Sequence, residues 1–202
     1  MTQTDEQKSL RLFCAVELPT DVRARAAAHA ARLRAGVATP LKVSWEREEK
    51  LHLTLKFLGD LAPERSEQLA RAVARAATRI PLFEGRLEGT GVFPAPSRPH
   101  VLWLGVHDAT GKLAALQAAV EEECARADFP RDPRPFHAHV TLARLRDTRG
   151  DARRLARQYL KLGFEPVSFP IGEIVLMRSE LGAGGSTYTA LSRETLWGEV
   201  GG

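Results

Sequence analysis

Two short stretches, far apart in the chain, constrain this sequence more than any other feature. The first is Leu51-His52-Leu53-Thr54-Leu55-Lys56-Phe57-Leu58 and the second is His139-Val140-Thr141-Leu142-Ala143-Arg144-Leu145. Each sets a histidine two residues before a threonine in an aliphatic, strand-like background. Side chains at i and i+2 of a strand share one face. Alternation therefore puts His52 and Thr54 opposite Leu51, Leu53, Leu55 and Phe57, and His139 and Thr141 opposite Val140 and Leu142. The two histidines stand 87 positions apart in a chain of 202 residues. That offset is expected of a fold in which each half supplies half of a site.

The rest of the chain alternates strands with helices. Leu10, Leu12, Cys14, Val16 and Leu18 recur with period two, giving a strand that Pro19 ends. Thr20 reads as an N-cap for a helix over 21–35, closed at Gly36. Residues 42–45 read as a short strand. Pro63 opens a second helix running to Arg79, with Leu69, Val73 and Ala76 as its apolar stripe. Residues 82–93 read as a strand bent at its glycines, and 101–106 as a clear strand. Leu113, Leu116, Val120 and Cys124 repeat at helical spacing over 110–127. Residues 151–162 read as a short basic helix. Strands follow at 164–169, 171–177 and 187–196, the last two joined at Gly182-Ala183-Gly184-Gly185. The pattern predicts an α+β fold with two pseudo-twofold-related lobes, each an antiparallel sheet with helices on its outer face and the site in the cleft between them.

A chain of this length buries a sizeable core as one two-lobed domain spanning 1–202. Residues 1–9 read as a disordered tail. Nothing in the sequence is long and apolar enough to cross a membrane, and the N-terminus lacks an apolar signal core, so a cytoplasmic monomer is expected. Cys14 and Cys124 are the only cysteines. They read as buried, neutral thiols rather than a disulfide framework. Net charge is +4 with a sequence pI near 9.4, carried mostly by arginine. That balance suits an anionic partner such as an RNA end or a nucleotide, and equally suits solvated arginine-rich helix faces.

Two imidazoles and two hydroxyls converging on one cleft match the needs of displacement at phosphorus. One group must take a proton from the nucleophile and another must give one to the leaving oxygen, on opposite sides. Histidine suits both roles because its ordinary pKa lies near 6.5. The Thr54 and Thr141 hydroxyls can hold the non-bridging oxygens. Arg144 offers a charge-assisted contact to the same oxygens. Strict alternation points Arg144 away from Thr141, so a bend must re-aim it.

These residues resemble a known family, the bacterial and archaeal RNA 2′,3′-cyclic phosphodiesterases, also called 2′-5′ RNA ligases, of the two-histidine phosphoesterase superfamily. The resemblance extends over nearly the whole chain, from Arg11–Pro19 through both His-x-Thr motifs and Val101–Val106 to Ile174–Leu181 and Tyr188–Leu191. It implies that His52 is the general acid and His139 the general base. It implies hydrolysis of 2′,3′-cyclic phosphate ends of RNA, or of cyclic nucleotides, to a 2′-phosphomonoester, with no metal and no cofactor. With an RNA 5′-hydroxyl in place of water, the same site would make a 2′-5′ linkage, or cleave one in reverse. Thr54, Thr141 and Arg144 would grip the phosphate. Phe57 or Phe13 would border the base or ribose, with core packing as the competing role for each. One position departs from the family pattern: Ala138 stands where a proline is expected.

Two other readings fit the same residues. His52, His137 and His139 have the makings of a three-histidine zinc site. A non-catalytic protein that binds RNA ends would use the same cleft. His29, His100 and His107 read as surface or loop residues.

Overall fold

The first strand, β1 (Leu10–Glu17), shows how the sheet is built. Leu12, Cys14 and Val16 enter the main core, as alternation requires, but Phe13 and Ala15 on the other face are buried too. They form a second small cluster with Val175, Met177 and Tyr188. A strand buried on both faces lies in the middle of a sheet. The computed structural model, which describes residues 9–37, 41–182 and 185–198, places it there.

In chain order the elements are β1, α1 (Thr20–Ala35), β2 (Val43–Trp45), β3 (His52–Leu61), α2 (Arg65–Ala77), β4 (Phe83–Ala95) and β5 (Arg98–His107). There follow α3 (Lys112–Arg126), β6 (His139–Leu145), α4 (Asp151–Leu162), β7 (Val167–Ile171), β8 (Glu173–Gly182) and β9 (Gly185–Thr195). The fold is α+β, and every pairing between these strands is antiparallel. The sheet order is β7-β4-β5-β6-β3-β1-β8-β9, with β2 also paired to β6. Outward from the centre one lobe runs β3-β1-β8-β9 and the other β6-β5-β4-β7. Each lobe therefore has a motif strand at its inner edge. The lobes are not sequence halves: β4 joins β5, and the β8–β9 hairpin returns to β1.

The helices cross over in the same way. α2 packs on β8 and β9, and α3 joins it against β3. α1 lies against β6, and α4 against β4 and β5. The buried residues of α2, Leu69, Ala72, Val73, Ala76 and Ala77, follow the predicted stripe. The same holds for Leu113, Leu116, Val120 and Cys124 of α3. Both cysteines are free and buried, and burial pushes the Cys124 thiol up to about 11.

Four expectations change. Thr20 is the first residue of α1, with Pro19 at the cap position, because the chain turns helical one residue early. β3, which the sequence reads as closed by Gly59-Asp60, runs on to Leu61, because the φ of +75° at Gly59 lets the strand bend rather than stop. His29 is buried, not on the surface, with its ring against Tyr159 and Phe164. It sits on the α1 face that the sheet and α4 cover. The strands expected at 164–169 and 171–177 also shift: β7 starts at Val167 and β8 at Glu173, separated by Gly172. The expected tail over 1–9 falls almost wholly outside the described residues, as do Ala183 and Gly184 of the hairpin turn. Gly182 and Gly185 are paired as its last rung.

Candidate active site

The two motif strands meet at one point. Leu53 of β3 pairs with Val140 of β6. Extending that antiparallel register one residue each way sets His52 across from Thr141 and Thr54 across from His139. Each histidine thus faces the other strand's threonine about a local twofold centred on the Leu53–Val140 pair. Leu53 and Val140 themselves are fully buried on the helix side.

Both strands carry a bulge just after the motif. Opposite β1, Cys14 pairs with Lys56 and Ala15 with Thr54, leaving Leu55 as the extra residue. Opposite β5, Leu102 pairs with Ala143 and Trp103 with Thr141, leaving Leu142 as the extra residue. Two consecutive residues are buried in each strand, Leu55-Lys56 and Leu142-Ala143. A bulge of this kind resets the alternation by one residue. Arg144 therefore returns to the Thr141 face, which supplies the bend that its role needs. Phe57, the equivalent position in β3, also comes round to the cleft face and is 41% exposed. Its placement opposite His52, expected from unbroken alternation, is overturned, and so is a core role for it.

The cleft has a volume of about 590 Å³. His52, His139, Thr54, Thr141, Arg144, Phe57 and Phe13 all line it. The histidines are anchored identically. His52 Nδ1 lies 2.7 Å from the Lys50 carbonyl, and His139 Nδ1 lies 2.6 Å from the His137 carbonyl. A carbonyl only accepts, so Nδ1 is the protonated nitrogen and Nε2 carries the lone pair of each neutral ring. The Thr54 hydroxyl, 3.1 Å from His52 Nε2, is placed to donate to it.

Aromatic rings hold each imidazole from behind. Phe13 and Tyr188 pack on His52 at centroid distances of 5.0 and 5.4 Å. Phe93 and Trp103 pack on His139 at 5.0 and 6.0 Å. Phe13 is 3% exposed, so it backs the histidine and is not free to stack on a base. Burial pushes the pKa of both histidines below the ordinary value of 6.5. The Lys50 carbonyl and Glu17 partly offset this at His52, and the His137 carbonyl does so at His139.

The three-histidine alternative does not assemble. His137 turns its ring onto Trp103 and Phe93, at 4.7 and 5.0 Å, and does not line the cleft. Among the described residues no group of three or more His, Cys, Asp or Glu side chains is placed to hold a metal ion. His100 and His107 are exposed, and neither lines the cleft.

The sequence and the fold have counterparts. A family model described as the 2′-5′ RNA ligase superfamily matches residues 19–183. The chain belongs to the 2′-5′ RNA ligase superfamily. It is 35% identical over 201 residues to an RNA 2′,3′-cyclic phosphodiesterase of Thermus thermophilus, covering 95% of this chain and 93% of that one. It is 32% identical over 163 residues to an RNA 2′,3′-cyclic phosphodiesterase of Aeropyrum pernix, covering 80% and 91%. Its fold matches the crystal structure of Escherichia coli LigT complexed with 3′-AMP at a TM-score of 0.71 and 28% identity, over 94% of this chain and 99% of that one.

Sequence reasoning within this superfamily resemblance missed several residues that line the cleft. Tyr188 arrives on β9, a strand read as structural. Trp45 and Glu46 arrive because β2 pairs with β6, and Glu46 Oε1 lies 3.7 Å from Arg144 Nε. Lys50 hydrogen-bonds the Ser186 carbonyl and so ties the start of β3 to β9. Arg11 lays its guanidinium over Phe57, 4.7 Å from the ring centroid. Of these only Tyr188 carried a signal, as an aromatic on an otherwise small and polar strand.

Proposed function

We propose that this chain hydrolyses 2′,3′-cyclic phosphate ends of RNA to 2′-phosphomonoesters, with His139 as general base and His52 as general acid. The observation that carries the reading is the matched pair of histidines, each fixed through Nδ1 to a carbonyl two residues upstream and each leaving Nε2 for chemistry in one cleft. The relatives named RNA 2′,3′-cyclic phosphodiesterase support the substrate class.

In the proposed reaction, water attacks phosphorus in line with the 3′ oxygen and gives its proton to His139 Nε2. The bond between phosphorus and O3′ breaks. His52, entering as imidazolium, gives its Nε2 proton to O3′, leaving a 3′-hydroxyl and a 2′-phosphate. Exchange with solvent restores both rings. The anionic phosphodiester offsets the burial that disfavours a charged His52, so the acid form gains population when substrate binds. Thr54, Thr141 and Arg144 hold the non-bridging oxygens, and Phe57 under Arg11 offers a face to the base. An RNA 5′-hydroxyl attacking in place of water, again with O3′ leaving, would form a 2′-5′ linkage, and the same steps reversed would cleave it. The proposal takes the enzyme as a cytoplasmic monomer that needs no metal or cofactor.

The test is to offer 2′,3′-cyclic mononucleotides and oligonucleotides in EDTA and identify the product by phosphorus NMR. The expected product is the 2′-phosphomonoester. A 3′-phosphate would reverse the acid and leaving-group assignment. Activity lost in EDTA and restored by zinc would overturn the metal-free mechanism. Tight binding without turnover would leave a protein that only binds RNA ends.

A further inference from the structure

The segment that leaves the cleft behind Arg144 carries a one-sided charge. Arg146, Arg149, Arg153, Arg154, Arg157 and Lys161 are all exposed, against two carboxylates, Asp147 and Asp151, over 146–162. Among the described residues none of these six cations lies within ion-pair distance of a carboxylate. The helices of the other lobe behave differently. There Arg71, Arg75, Arg79 and Arg126 all pair with glutamates of α2 and α3. Among the described residues α1, in the same lobe as α4, also holds Arg25, Arg32 and Arg34 exposed and outside ion-pair distance of a carboxylate, so the unpaired cations gather on the α1 and α4 side, with 146–162 the stretch that follows the cleft residue Arg144.

The placement within α4 is also electrostatically unfavourable for the helix itself. Ala152, Leu155, Ala156 and Tyr159 face the core, which leaves the cations on the outward side. Arg153, Arg157 and Lys161 fall at i, i+4 and i+8, a row of like charges on one face. Arg153 and Arg154 stand in the first turns, where the helix dipole already presents positive charge. An anion laid along this face relieves both repulsions. In chain order the cations follow Arg144 of the cleft wall, across a five-residue connector and along a helix about 18 Å long, at 1.5 Å per residue.

We propose that this track binds the backbone phosphates of the RNA upstream of the cyclic-phosphate end, independently of sequence. The inference rests on the phosphodiesterase reading above and extends it from the terminal nucleotide to a polymeric substrate. It makes chain length, not base identity, the main determinant of affinity, because each neutralised phosphate adds a salt-dependent increment.

The experiment compares the parent with the triple variant Arg153→Gln/Arg157→Gln/Lys161→Gln on a 2′,3′-cyclic mononucleotide and on a single-stranded RNA of roughly 20 nucleotides with the same end. With the mononucleotide, kcat/KM should stay within about two-fold. With the RNA, KM should rise about ten-fold or more at low salt, and log(kcat/KM) against log[salt] should become shallower by about two, from roughly 0.7 per lost phosphate contact. The thermal midpoint should hold or rise, since a like-charge row is removed. No loss with RNA, or an equal loss with both substrates, overturns the proposal. A loss seen only in binding to anionic phospholipid vesicles assigns the track to a membrane surface and overturns it as well. If the parent hydrolyses neither substrate, the phosphodiesterase reading fails by itself, and RNA affinity of parent against variant still decides the track.

Discussion

Leu53 of β3 pairs with Val140 of β6, and that contact sets both histidines into one cleft. The lobes meet edge to edge there, so neither strand is free to slide. A slip of one residue would turn the histidine and threonine of one strand toward the helices and bury them. The pair of acid/base groups is therefore specified by hydrophobic residues that take no part in chemistry.

Replacing either histidine should remove turnover without removing the fold. His52→Ala and His139→Ala are each expected to lower kcat for a 2′,3′-cyclic nucleotide by about 10²- to 10⁴-fold. Circular dichroism should be unchanged. Turnover within ten-fold of the parent in either variant would refute the assignment.

The pH profile has a stated direction. Burial lowers the pKa of both histidines in the free protein. The reaction needs one ring neutral and the other charged. A bell-shaped kcat/KM is expected, with its maximum on the acid side of pH 6.5, the ordinary histidine value, because kcat/KM reports free-enzyme ionisations. A flat rate from about pH 5 to 8 would contradict it.

Stability should follow the same groups. His29, like His52 and His139, is pushed down by burial, with Arg32 adding to the effect, and its Nε2 has no hydrogen-bond partner among the described residues. A group whose folded pKa is depressed takes up its proton more readily when unfolded. Stability is therefore full above the unfolded value near 6.5 and declines as pH falls through it. His29→Leu should leave the thermal midpoint at pH 7.5 unchanged or higher and flatten its decline between about pH 6.5 and 5. An unaltered decline would show that His29 does not contribute.

The bulge that turns Phe57 outward turns Lys56 inward. Lys56 Nζ lies 2.7 Å from Glu121 Oε2 and 2.8 Å from the Pro130 carbonyl, with the two side chains 1% and 9% exposed. Glu121 Oε2 also accepts from the Asp132 backbone N–H, so the pair fixes the loop that leads into β6. Lys56→Met should destabilise by about 3–5 kcal/mol, because it leaves Glu121 buried and unpaired. Adding Glu121→Leu should recover most of that loss in urea denaturation.

Phe57 should matter for binding more than for the chemical step. Phe57→Ala is expected to raise KM about ten-fold, within the range of one base–aromatic stack, while kcat changes about two-fold or less. A fall in kcat with KM unchanged would place Phe57 in support of His52 instead.

Much of this was legible in the sequence. Periodicity found the strands and helices, and the two His-x-Thr motifs found His52, Thr54, His139 and Thr141 together. Phe57 and Arg144 were among the candidates and both line the cleft, but strict alternation pointed each of them away from it. Both lie past a bulge, and a bulge is a mismatch between two strands that neither strand records alone. His29 was misplaced because its helix, rich in alanine and arginine, gives almost no apolar stripe to show which face is covered. The cleft residues Tyr188, Glu46 and Lys50 depend on partners more than 90 residues away in the chain.

The sequence by itself determined which chemistry was available. Residue type sets proton affinity and hydrogen-bonding capacity, and the period of two sets which neighbours share a face. Tertiary structure decided which nitrogen of each ring is free, because the fold turns Nδ1 onto a nearby carbonyl and packs aromatic rings behind it. It also decided that burial would lower both pKa values, since desolvation depends on everything packed around a group. The edge-to-edge meeting at Leu53 and Val140 then made two distant half-sites into one.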